Sequence, residues 1–176
     1  DTLIGGKGDD TYYAHDGTVI VEAADSGIDL VIAPDFHFTL PANVENLAMP
    51  LTGGYIYGVN LVGNELDNII TARTSRAGLP AVTNDVLDGG LGADTMISGA
   101  INDIFYVDNP GDRIVAATAR VFSSIDWTLA SGHSDLTLIG SAAVSATGNS
   151  GNNVLDGSTN SAANVLSGGA GDDIYR

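Results

Sequence analysis

The sequence predicts an all-β fold, a parallel β-solenoid, and three observations lead there. Glycine punctuates the chain about every nine residues, at nearly twice the usual ~7% frequency. The segments between these turns are short and rich in Val, Ile, Thr and aromatics, as in Thr18-Val19-Ile20-Val21 and Leu30-Val31-Ile32. No stretch carries an apolar period near 3.6 with helix caps. Strands of three to six residues separated by tight glycine turns suit stacked coils, with right-handed winding favoured for parallel crossovers.

The turns follow a strict frame. Gly5-Gly6-Lys7-Gly8-Asp9-Asp10-Thr11-Tyr12-Tyr13 recurs as Gly89-Gly90-Leu91-Gly92-Ala93-Asp94-Thr95-Met96-Ile97. It recurs again as Gly168-Gly169-Ala170-Gly171-Asp172-Asp173-Ile174-Tyr175-Arg176. All three satisfy G-G-x-G-x-D-x-U-x, with U a large apolar residue. The first six positions swing the chain round, and x-U-x forms a strand with U inward. Tyr12, Met96 and Tyr175 hold the U position in the full copies; the frame adds Leu3, Val31, Leu87, Phe105, Ile114, Leu155 and Leu166. Two nonapeptides make one coil, and coils stack at about 4.8 Å, so some 8–10 coils are expected, a rod of roughly 40–50 Å.

A longer period lies above the short one. Asp1-Thr2-Leu3-Ile4 matches Asp94-Thr95-Met96-Ile97, and Phe38-Thr39-Leu40 matches Trp127-Thr128-Leu129. Asn68-Ile69-Ile70 matches Asn153-Val154-Leu155. The chain therefore reads as long repeats at 1–93 and 94–172, with 173–176 opening a third. They are expected to form one continuous solenoid, a fragment of a longer polypeptide. Degenerate nonapeptides fill the gaps, among them Ala24–Val31, Ser98–Phe105 and Gly148–Leu155. Residues 71–81 break the frame and read as a loop, and 158–163 as a smaller excursion.

Composition excludes several classes. There are 22 acidic residues against 6 basic ones, a formal charge of -16, and the acids are 19 Asp and only 3 Glu. Asp favours turns and hard-cation sites, Glu favours helices. Such a charge repels phosphate and argues against nucleic acid. An apolar content of 44% argues against disorder. No apolar run approaches the ~20 residues of a transmembrane segment. Cysteine is absent, so a fold outside the cell needs another staple, and a metal is the candidate. A glycine turn without bulky side chains aims several carbonyl oxygens at one point, and the sixth-position Asp adds a carboxylate. Oxygen-only, flexible coordination suits Ca2+ better than magnesium or transition metals.

With its three nonapeptides, the chain resembles the RTX, or haemolysin-type calcium-binding, repeats of secreted bacterial proteins. The resemblance implies a β-roll with calcium-binding glycine turns, each ion shared between turns one coil apart. Gly5, Gly6, Gly8 and Asp10 would then pair with Gly27 and Asp29. Gly89, Gly90, Gly92 and Asp94 would pair with Asp112 on one side or with Gly63 and Asn68 on the other. Gly168, Gly169, Gly171 and Asp173 would pair with Gly148, Gly151 and Asn153, where Asn offers only a neutral oxygen and a weaker site. Asp1, Asp85 and Asp103 lack regular partner turns. In the second long repeat both halves of the first pair degrade together. Ser98 and Ile101 replace glycines before Asp103, and the segment from Gly111 to Trp127 is shorter than that from Gly17 to Phe38.

No catalytic signature is present: neither G-x-S-x-G nor H-E-x-x-H occurs, and His15, His37 and His133 lie far apart. His15-Asp16 and His133-Ser134-Asp135 read as surface loops, not triads. Asn43, Asn46, Asn64 and Asn68 read as a ladder or plain turns rather than a ligand site. Phe36, Phe38, Tyr55, Tyr57 and Trp127 read as packing rather than as a sugar platform. The expected function is a non-enzymatic calcium-binding repeat region, extracellular, secreted or on a bacterial cell surface as in an adhesin, folding on calcium and stacking on neighbouring repeats. Export would be by type I secretion, with a signal beyond Arg176. The alternatives are an accessory domain of an RTX-type secreted enzyme and a carbohydrate-binding module.

Overall fold

The structure, a computed structural model, describes residues 1–50, 58–74 and 84–176. Its strands are β1 (Thr2–Ile4), β2 (Thr11–Tyr13), β3 (Val19–Val21), β4 (Leu30–Ile32), β5 (His37–Thr39), β6 (Asn46–Ala48), β7 (Asn60–Val62), β8 (Ile69–Thr74) and β9 (Val86–Asp88). They continue as β10 (Thr95–Gly99), β11 (Ile104–Val107), β12 (Arg113–Val115), β13 (Arg120–Ser123), β14 (Trp127–Thr128), β15 (Asp135–Leu138), β16 (Ser145–Thr147), β17 (Val154–Asp156), β18 (Val165–Ser167) and β19 (Ile174–Tyr175). No helix occurs among the described residues. Thr71–Thr74, expected in a loop, continue strand β8; Arg76, Pro80 and the rest of that stretch, like Tyr55 and Tyr57, lie outside the described residues.

Every strand pairing is parallel and joins a strand to the next but one. Odd-numbered strands build one face, in ladders β1-β3 and β5 through β19. Even-numbered strands build the other, in ladders β2 through β12 and β14-β16-β18. This is the β-solenoid the glycine spacing predicts, two strands per coil. Register follows the frame: Tyr12 faces Val31, Met96 faces Ile114, and Leu155 faces Tyr175.

The core lies between the two faces. Tyr12, Val31, Leu87, Met96, Phe105 and Leu155 are buried U residues. Leu3, Ile114 and Leu166 are only half-buried, and Tyr175 is 54% exposed, against the inward expectation. All four sit in strands that end a ladder (β1, β12, β18 and β19), so a second strand does not cover them. Phe38 is buried and Trp127 packs against the core, as packing residues should; Phe36 stays 44% exposed.

The strand order shows how the long repeat meets the coil. β1 matches β10, β5 matches β14, β8 matches β17, and β10 matches β19. The offset is nine strands, an odd number, so equivalent segments of successive long repeats fall on opposite faces. Turns running from odd to even strands form one edge, and turns running from even to odd strands form the other. Gly5–Asp10 and Gly89–Asp94 share the first edge, whereas Gly168–Asp173 lies on the second.

Candidate metal centres in the stacked turns

Successive turns on an edge are joined by their sixth-position residues. The Asp10 N–H donates to Asp29 Oδ1 (2.8 Å), the Asn68 N–H to Asp94 Oδ1 (2.7 Å), and the Asp94 N–H to Asp112 Oδ1 (3.0 Å). On the second edge the Asn153 N–H donates to Asp173 Oδ1 (2.9 Å). Fifth-position side chains bond in the opposite direction: Asp9 accepts from Ile28, Asp67 from Ala93, and Asn152 from Asp172. Three of the four pairs are thus held by reciprocal bonds, the exception being Asp94 with Asp112, where the Ala93 side chain has no acceptor, and one carboxylate oxygen of the later Asp is used in stacking.

A second carboxylate oxygen is left open at three of these aspartates. Asp10 Oδ2, Asp29 Oδ2 and Asp94 Oδ2 are buried and have no hydrogen-bond partner. Asp29 and Asp94 are fully buried as whole residues. A buried carboxylate oxygen with nothing to pair is costly, and a cation removes that cost. The first glycine of each nonapeptide makes room for it. A Cβ on Gly5 would fall on Asp10 Oδ2, on Gly89 on Asp94 Oδ2, and on Gly168 on Asp173 Oδ2. The second and fourth glycines serve the backbone instead: Gly90 and Gly92 have φ of 80° and 115°, a region that only glycine enters freely. Gly6 and Gly8, and Gly169 and Gly171, repeat that conformation.

The expected partners are brought together. In the first pair, Asp10, Asp29 and a third carboxylate, Glu22, each place an oxygen within 4.8 Å of the others. Gly27 presses so close on the Gly8 carbonyl that a side chain there would collide. Glu22 stands two residues before the Ala24–Asp29 frame, so the repeat pattern alone does not single it out. In the second group, burial pushes Asp94 up to about 7, and the charges of Asp112, Asp108 and Asp67 add to the effect. Burial likewise raises Asp29. The Oδ2 of Asp112 accepts from the Asp108 and Asn109 N–H groups, so Asp94 holds the open oxygen of that group. On the second edge Gly148 and Gly151 lie against the Gly168 and Gly171 turn, with Asn153 under Asp173.

Other turns close without an open oxygen. Asp85 and Asp103, expected to lack partners, do stack: the Asp85 N–H donates to Asp103 Oδ1 (2.9 Å). Asp103 Oδ2, however, accepts from Ser98 Oγ (2.6 Å), and Ser98 occupies the position of the first glycine. The serine hydroxyl fills the cradle that Gly5, Gly89 and Gly168 keep clear. Asparagine closes a further set. Asn64 Nδ2 bridges the Pro41 and Val44 carbonyls, Asn149 Nδ2 those of Ala130 and His133, and Asn160 Nδ2 those of Ile139 and Ala142. Asn153 Oδ1 accepts from Asn149 N, while its Nδ2 faces the His133 and Ser134 carbonyls at 3.3 Å. Asn153 is thereby a stacking group more than a free ligand oxygen. The 158–163 excursion is one of these turns, anchored by buried Asn160.

The histidines do not form triads. His15 Nδ1 lies 3.3 Å from Asp35 Oδ1 rather than beside Asp16. His133 is buried, not on a surface loop, and its carbonyl is clamped by the Asn149 and Asn153 amides. Asp135 instead pairs with Arg120. No described helix is long and apolar enough to cross a membrane.

A family model, the RTX calcium-binding nonapeptide repeat, matches four copies over residues 1–20, 83–108 and 145–176. The chain carries RTX calcium-binding repeats. The matched segments contain all three intact nonapeptides, and therefore the Asp10, Asp94 and Asp173 turns. A 70-residue stretch is 44% identical to the endo-1,3-1,4-beta-glycanase ExsH of Rhizobium meliloti (strain 1021). That match covers 39% of this chain and 14% of the glycanase. No solved structure matches the chain significantly. The stacked turns of this chain are oxygen-rich, and their open buried oxygens fit a hard cation of calcium size.

Proposed function

We propose that this chain is the calcium-binding repeat region of a secreted or cell-surface bacterial protein, and that it sets into a rigid solenoid when calcium is bound outside the cell. The observation that carries the reading is the pair of turns at Asp10 and Asp29, whose buried Oδ2 atoms lack partners and whose carboxylates approach within 4.8 Å between adjacent coils. Ligands from separate coils come together only in the folded chain, so binding favours that state. Gly5, Gly6, Gly8, Asp10, Gly27 and Asp29 would hold one ion; Gly89, Gly90, Gly92, Asp94 and Asp112 a second; Gly168, Gly169, Gly171 and Asp173, over Gly148, Gly151 and Asn153, a weaker third. Calcium supplies positive charge to these turns, and the side chains supply the stacking that positions it. The test is calorimetric titration of the EGTA-treated chain with calcium. Saturable binding accompanied by a gain of β-structure is expected, and no binding at millimolar calcium would refute the reading.

The similarity to the glycanase favours a second reading, an accessory repeat region of a secreted glycan-degrading enzyme. On either reading the repeats bind and stiffen rather than catalyse. The isolated chain is expected to leave a 1,3-1,4-linked β-glycan intact, and hydrolysis would contradict that.

A further inference from the structure

Glu22 lies outside the nonapeptide frame yet meets the first turn pair. Its carboxylate turns back from the second coil into the Gly5–Asp10 turn. Oε1 accepts from Tyr12 Oη, and Oε2 accepts from Ser26 Oγ at 2.9 Å. A Cβ on Gly5 would collide at once with Tyr12 Oη, Asp10 Oδ2 and Glu22 Oε1, so these oxygens converge on the space that the glycine leaves. Asp29 completes the group: it is fully buried, and its Oδ2 is unpartnered. Oxygens bound to calcium at 2.3–2.6 Å stand at most roughly 5 Å apart, and the three carboxylates here lie within 4.8 Å of one another. The neighbouring Glu45, whose Oε2 accepts the Asp29 N–H at 2.8 Å, stands outside this group.

We propose that Glu22 is a third carboxylate ligand of the cation at this turn pair, held in place by the Tyr12 hydroxyl, and that it makes this the tightest cation site of the chain. The inference rests on the calcium reading above and adds a ligand outside the nonapeptide frame. Three negative charges around one ion set this site apart from the Asp94 site, where Asn68 replaces one carboxylate. Affinity in oxygen sites rises with the number of charged ligands. A trivalent lanthanide of calcium size should therefore seat here first. Tyr12 is placed to report it, because its hydroxyl lies at the site.

The experiment uses the whole chain, with terbium as probe under tyrosine excitation and calcium as competitor. Wild type should show a tight class with tyrosine-sensitised emission and a weaker class. Glu22→Gln should weaken the tight class about tenfold or more and leave the weaker class in place. An unchanged tight class in a folded Glu22→Gln chain overturns the proposal while leaving the calcium reading intact. Absence of any terbium or calcium binding by wild type overturns the calcium reading itself. Should Glu22→Gln fail to fold, Tyr12→Phe decides. Loss of more than half of the tight-class emission supports the placement of the ion beside Tyr12 and Glu22, and unaltered emission refutes it.

Discussion

Replacing Asp10 and Asp103 separately should give opposite signatures with and without calcium. The two residues hold the same frame position but meet different groups. Asp10 Oδ2 has no protein partner and faces Asp29 and Glu22, like charges that oppose one another in the absence of a cation. Asp103 is fully buried and holds two donors, the Asp85 N–H at 2.9 Å and Ser98 Oγ at 2.6 Å. Asp10→Ala therefore removes a cation ligand and some repulsion. At calcium a hundredfold above Kd it should lose up to the linkage contribution of one site, about 2.7 kcal/mol. For a chain of this size that is roughly 5–10 °C in Tm. In EGTA its stability should be within about 1 kcal/mol of wild type or slightly higher. Asp103→Ala orphans buried donors, at about 1–3 kcal/mol, and the loss should be the same in either condition. Thermal melts of wild type and both variants, in EGTA and in calcium, form the complete cycle. An Asp10→Ala loss of equal size in EGTA, or an Asp103→Ala loss that vanishes there, would refute the division into open and self-closed turns.

Acid should act through the buried aspartates. Burial raises Asp94 from an ordinary 3.8 to about 7, and Asp29 and Asp103 shift the same way. Between these values the unfolded chain has released a proton that the metal-free fold retains, so metal-free stability falls as pH rises from about 4 to about 7. Calcium takes the ionised form, so the Tm difference between calcium and EGTA should widen from pH 5 to pH 8, and a constant difference would contradict the assignment. The asparagine staples should be indifferent to calcium. Asn149→Ala removes the amide that bridges the Ala130 and His133 carbonyls and should lower stability by about 1–3 kcal/mol equally in calcium and in EGTA; a loss confined to calcium would mean that Asn149 serves an ion.

Much of the fold was legible because the nonapeptide encodes its own geometry. Glycine at the first position leaves room for the aspartate, glycines at the second and fourth accept positive φ, and the U residue alternates inward. That is why Asp10 with Asp29, and Asp94 with Asp112 or Asn68, could be matched as stacked turns from the sequence. Glu22 was not legible, because it lies outside the frame and reaches the site only through coil stacking. Ser98 looked like decay of a glycine, yet it gives Asp103 a hydrogen bond in place of an open cradle. Sequence spacing also made Asp103 the counterpart of Asp10. The nine-strand offset instead puts their turns on opposite edges, a consequence of parity that sequence identity between repeats does not express. Thr71–Thr74 broke the glycine frame but lengthened a strand, since ladder pairing with β10 rather than turn chemistry governs them.

The central claim is that calcium, held between stacked turns, stabilises the solenoid. Its most direct test is the melting temperature of the whole chain in EGTA, in millimolar calcium and in millimolar magnesium. Two sites at a hundredfold excess over Kd contribute about 5 kcal/mol, or roughly 10–20 °C for a chain of this length. Magnesium, which demands rigid octahedral geometry and dehydrates reluctantly, should reproduce little of that rise. A Tm that calcium leaves unchanged would contradict the account, and an equal rise in magnesium would contradict its choice of ion.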